Sequence, residues 1–133
     1  MNEAVLNVGL DPALVDTSAS GRAIFPHVDA EIVEKGIADA RVGLAELGLG
    51  LDVCSVDSGD TAAVTLREAL RRKHYKIIMI GGGVRLEPRM TPLFEIVVNT
   101  VLQHSPWSVL CFNTGPDSTV EAVRRWWPAP GMV

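Results

Sequence analysis

Four short apolar runs, separated by longer segments of helical periodicity, constrain this chain more than any other feature. Ala4–Leu10, Leu49–Val56, Lys76–Ile80 and Trp107–Phe112 read as strands. The third, Lys76-Ile77-Ile78-Met79-Ile80, is almost continuously apolar. That is the pattern of a parallel strand covered on both faces, because helical crossovers lie above and below it. Strict alternation of strand and helix predicts an α/β fold with a parallel sheet. The expected architecture is a three-layer α/β/α sandwich of four parallel strands in the order 2-1-3-4, with four helices on both faces. In that order the first strand has neighbours on both sides, and the chain reverses direction between strands 1 and 3.

The helices follow from spacing and punctuation. Ile32, Val33, Ile37, Ala40, Leu44 and Leu47 fall at helical intervals, so the first helix is expected from about His27 to Leu47. Gly36 and Gly43 lie on or beside that stripe and would let the helix approach the sheet closely. The second opens at Asp60, a natural N-cap, and ends in Arg71-Arg72-Lys73-His74, where the helix dipole favours cations. The third is expected from Thr91-Pro92, with threonine as cap and proline at the first position, to Gln103. The fourth opens at Ser118 with capping-box spacing to Glu121 and stops before Pro128. On it Val120, Val123 and Trp127 share one side, which predicts a buried Trp127 and a more exposed Trp126. The 133 residues suit one domain, 1–133, and 47% of them are apolar, enough for a core without disulfides.

Composition excludes several functions. The formal net charge is −4, against a general nucleic-acid binder, which needs a basic face. Three tryptophans, three phenylalanines and one tyrosine are too few for a base-stacking platform. The first residues have no basic segment and only a short apolar run, so neither a signal peptide nor a membrane span is expected. Cys54 and Cys111 sit inside apolar runs and read as reduced core thiols, which makes the cytoplasm the default location.

In open parallel sheets, ligands bind beyond the carboxyl ends of the strands, where the chain reverses direction. Here that place lies between the loops after strands 1 and 3. The first, Asp11 to Pro26, is unusually long for a strand–helix connection and carries Asp11, Asp16, Thr17, Ser18, Ser20 and Arg22. The second is Gly81-Gly82-Gly83-Val84-Arg85. Its backbone N–H groups are expected to form an anion-binding concavity, with Arg85 and Arg89 adding positive charge. Asn113 and Thr114 follow strand 4 at the same edge. The candidate ligand-binding residues are therefore Asp11, Ser18, Ser20, Arg22, Gly82, Gly83, Arg85, Asn113 and Thr114, and the expected ligand is an anionic carboxylate or phosphate. Asp11 would offset Arg85 or hold a hydroxyl of the same ligand. His27 closes the long loop, as a surface residue or a proton-transfer group without a visible partner.

No motif fixes a reaction. The glycines after strand 3 lack the last glycine of a dinucleotide fingerprint, and no P-loop or nucleophile elbow occurs. Asp11 stands without the acidic pair, the strand-3 aspartate and the later lysine of a phosphoreceiver. His27, His74 and His104 lack metal-ligand spacing, so no metal or cofactor is expected. Together, Val8-Gly9-Leu10-Asp11-Pro12, Ile80-Gly81-Gly82-Gly83-Val84-Arg85-Leu86 and Phe112-Asn113-Thr114-Gly115-Pro116-Asp117 resemble a group of small Rossmann-like, flavodoxin-like α/β proteins. The resemblance spans most of the chain and implies that fold. It brings no activity and no catalytic residue with it.

The rival to a small-molecule site is a non-enzymatic homo-oligomeric module. On the Pro92–Gln103 helix, Leu93, Phe94, Ile96, Val97, Val98, Val101 and Leu102 cover about two-thirds of the circumference. A helix on one face of a sheet needs a stripe of only about 100° or a little more. The surplus predicts a homodimer through this helix.

Overall fold

The computed structural model describes residues 3–11, 30–57 and 59–128. The four expected strands are β1 (Glu3–Leu10), β2 (Leu49–Val56), β3 (Ile77–Ile80) and β4 (Val109–Phe112). They form one parallel sheet in the order β2-β1-β3-β4. Among the described residues there are five helices: α1 (Ala30–Ala45), α2 (Gly59–Arg72), α3 (Gly82–Arg85), α4 (Thr91–His104) and α5 (Thr119–Arg124). No helix among these residues is long and apolar enough to cross a membrane.

Alternation along β1 separates two cores. Leu6, Val8 and Leu10 face α2 and α4, where they meet Leu66, Leu70, Val97 and Val101. Val5 faces α1 and α5 with Ile77 and Met79, against Ala40, Leu44, Ala122 and Val123. The α1–β2 turn closes at Gly48, whose N–H donates to the Ala45 carbonyl at 3.0 Å and whose φ of +77° lies in the left-handed region that favours glycine.

Several local expectations are corrected. The glycine loop is not an open turn: Gly82–Arg85 winds into one helical turn, closed by the Leu86 N–H on the Gly82 carbonyl at 2.9 Å. Ser118 does not cap α5 with its side chain; its Oγ accepts from the N–H groups of Thr114 at 2.9 Å and Gly115 at 3.2 Å, bracing the β4–α5 loop. The last helix stops at Arg124, so Trp127 is half-buried against the second core rather than fully covered, and Trp126 is the more exposed of the pair. Gly36 and Gly43 bring α1 against the β4–α5 loop and α5, at Pro116 and Val120, not against the sheet.

The wide apolar arc of the third expected helix is filled largely from within the chain. Leu93, Val97 and Val101 are buried, and Phe94, Ile96 and Val98 are partly buried against the same core. Phe94 meets Phe112 edge-on with ring centroids 6.2 Å apart. Of the arc, Leu102 stands exposed at 55%. The helix packs on α2 as well as the sheet and touches α3, so it uses a wider stripe than contact with a sheet alone requires.

Both cysteines are free and buried. Burial pushes the Cys54 thiol up and that of Cys111 up to about 12, since a thiolate loses solvation in an apolar surround. The reactive thiolate is therefore scarce at pH 8. A disulfide-exchange dye at that pH should react slowly with the native protein and rapidly once guanidinium has unfolded it. Fast native reaction at either position would contradict this packing.

Candidate functional site

The α1-facing side of the sheet changes character towards the carboxyl edge. The row below is filled by Leu51, Val5 and Ile77. Then Asn7 stands beside Val53 on β2 and Met79 on β3, and the next step along β1 brings Gly9 opposite Ser55. Gly81 continues the row: its N–H donates to the Val8 carbonyl at 2.8 Å, and a Cβ on it would lie 3.8 Å from the Cα of Gly9. Among the described residues, a Cβ added at Gly9 would meet nothing within 4 Å. Large core side chains thus give way to a space that the described residues leave open.

That space is a cavity of about 90 Å³. Its floor is Asn7, Gly9 and the Gly81–Gly83 segment, and Val33 and Ile37 of α1 lie across it. Val53 and Ser55 bound it on β2, and Gly115 and Pro116 on the opposite side. It occupies the carboxyl edge between the loops after β1, β3 and β4, the place expected from the reversal of strand order. Its walls are mostly apolar, the usual character of a small-molecule site. For scale, an engineered cavity of about 150 Å³ admits benzene, so this one encloses a smaller fragment or part of a ring.

The structure sorts the expected site residues. Gly82, Gly83 and Asn113 line the cavity. Asn113 is a brace: its Oδ1 accepts from the Gly82 N–H at 3.0 Å, and its Nδ2 donates to Thr119 Oγ1 at 3.0 Å. It joins the starts of α3 and α5 across the sheet edge. Arg85 does not line the cavity. Its Nη2 donates to the Asn113 carbonyl, and its guanidinium lies 5.1 Å from the centre of the Phe112 ring. Desolvation lowers its pKa, and its Nε has no hydrogen-bond partner. Thr114 is exposed, and its hydroxyl lies 3.2 Å from Ser118 Oγ. Asp11 continues β1, with its N–H on the Val56 carbonyl at 2.9 Å, and stands outside the lining. Ser18, Ser20, Arg22 and His27 lie outside the described residues.

Sequence reasoning missed Asn7. Its relative exposure is 8%, yet no hydrogen bond reaches its carboxamide among the described residues. Neither polar atom is sealed from solvent-sized space, and the residue lines the cavity. A signal was present: Asn7 is the one polar side chain in Ala4–Leu10, and strand alternation puts it on the face that Gly9 leaves bare. Among the described residues no group of three potential metal ligands occurs. No protein-family model and no curated protein matches the chain.

Proposed function

We propose that this protein binds a small organic molecule in the cavity at the carboxyl edge of its sheet. The observation that carries the reading is the bare row of Gly9 and Gly81, which holds open an apolar cavity at the reversal of strand order. The described lining contains no charged side chain and no titratable acid or base. That supports recognition rather than proton-transfer chemistry. It also moves the reading away from an anion, because Arg85 is directed at the Asn113 carbonyl and the Phe112 ring. The rival reading, a homodimer through the Pro92–Gln103 helix, has less to rest on, since Leu102 is what that arc leaves exposed.

Gly9→Val tests the site. The added Cβ meets none of the described residues, and a β-branched residue suits a strand, so the variant should fold at least as stably as the parent. It should also remove binding of any ring that occupies the cavity, read as amide shifts in a nuclear magnetic resonance titration. Unchanged binding in Gly9→Val would place the ligand elsewhere.

A further inference from the structure

We infer that the cavity selects an uncharged ligand carrying a cis-amide edge, as in a lactam or a pyrimidine base, and that Asn7 reads that edge. The inference rests on the small-molecule reading of the same cavity and adds the ligand class.

Asn7 sits mid-strand on β1, with β2 and β3 on either side. Its row neighbours are Val53 and Met79, neither of which can satisfy a carboxamide. Val33 and Ile37 across the cavity cannot either. A buried amide normally finds a partner, because an unmade hydrogen bond leaves the desolvation cost uncompensated. In the unliganded protein solvent reaches both polar atoms, so a ligand that fills the cavity must replace those hydrogen bonds with its own.

The geometry of a carboxamide defines its complement. It presents an N–H donor and a C=O acceptor side by side in one plane. A ligand satisfies both at once only if its own C=O and N–H are adjacent on one edge. Lactams and pyrimidine bases have that edge. An ordinary trans peptide does not, because its N–H and C=O point in opposite directions. A carboxylate is disfavoured as well: it accepts from the Asn7 amide but repels its oxygen, and no cation among the described lining compensates. Val33, Ile37 and Val53 suit the ring behind the edge.

The test is a titration of the full chain with four probes, 2-piperidone, uracil, cyclohexanone and cyclohexanecarboxylate, following backbone amides and the Asn7 side-chain NH₂ pair. Expected is binding of 2-piperidone or uracil, whichever is tighter, at least fivefold stronger than cyclohexanone, with the Asn7 NH₂ signals shifting. Uracil as the tighter probe identifies a planar base, and 2-piperidone a saturated lactam. Asn7→Leu should abolish or reverse the preference over cyclohexanone, and Asn7→Ser serves the same comparison if the leucine variant does not fold. Equal binding of cyclohexanone and both amides, blocked by Gly9→Val, would overturn the ligand class while leaving the site. Tightest binding by cyclohexanecarboxylate would overturn it in favour of an anion. If no probe binds up to its solubility, with water alone in the cavity, the inference and the small-molecule reading fall together.

Discussion

Replacing Asn7 by leucine is expected to stabilise the unliganded protein by about 1–3 kcal/mol, the usual penalty of a buried polar group without a partner. Asn7 is 8% exposed in the middle of a parallel sheet, and its side-chain carboxamide has no hydrogen bond among the described residues. Leucine removes the unpaired amide, fills part of the space beside Val33 and Ile37, and suits a strand better than asparagine does. Because the cavity communicates with solvent, the gain should lie towards the lower end of that range. Urea unfolding followed by tryptophan fluorescence measures it, provided the slope with denaturant is unchanged. A residue that raises stability when removed and lowers ligand selectivity at the same time is one the fold tolerates for binding. A clear loss of stability in Asn7→Leu would instead mean that the carboxamide supports the sheet.

The two α1 glycines should respond differently to the same substitution. At Gly36 an added Cβ would lie 2.5 Å from the Pro116 carbonyl oxygen and 2.9 Å from the Pro116 Cβ. That obstacle is backbone, in a loop braced by Ser118 on the Thr114 and Gly115 amides and by Asn113 on Thr119. Gly36→Ala is expected to cost about 1–3 kcal/mol through overpacking, beyond any helix-propensity gain. Pro116 also walls the cavity, so the variant should weaken ring binding as well. At Gly43 the obstacle is Val120 Cγ2 at 2.8 Å, the end of a side chain. It can turn aside, and the helix gains about 0.5–1 kcal/mol from replacing glycine, so Gly43→Ala should be near neutral. Thermal or urea unfolding of the two variants side by side decides this. A neutral Gly36→Ala with a damaging Gly43→Ala would mean that α1 lies in a different register on its neighbours.

Strand–helix alternation was legible because hydrophobic periodicity is a local property. Each strand run and helix stripe is set within about ten to fifteen residues. A cavity at the carboxyl edge was legible from topology, since reversal of strand order creates a crevice whatever side chains line it. Its chemistry was not. Arg85 reads as an anion-binding residue beside glycines, yet one turn of helix at Gly82–Arg85 brings its guanidinium to the Asn113 carbonyl and the Phe112 ring. Those partners lie far along the chain, and nothing local announces them. The same holds for the arc on α4, which is wider than one sheet requires and is covered in large part by α2 and Phe112.

By itself, then, the sequence determined the four-stranded parallel sheet in the order 2-1-3-4 and the helices between its strands, because these follow from short-range periodicity and from connection rules. Only the tertiary structure decided which groups face the cavity. It placed Asn7 on a face shared with Gly9, left both without filling from α1, and turned Arg85 away. The physical reason is that burial and hydrogen bonding are settled by neighbours distant in sequence. An asparagine in an apolar strand run becomes informative once the structure shows that none of the described side chains around it completes its hydrogen bonds.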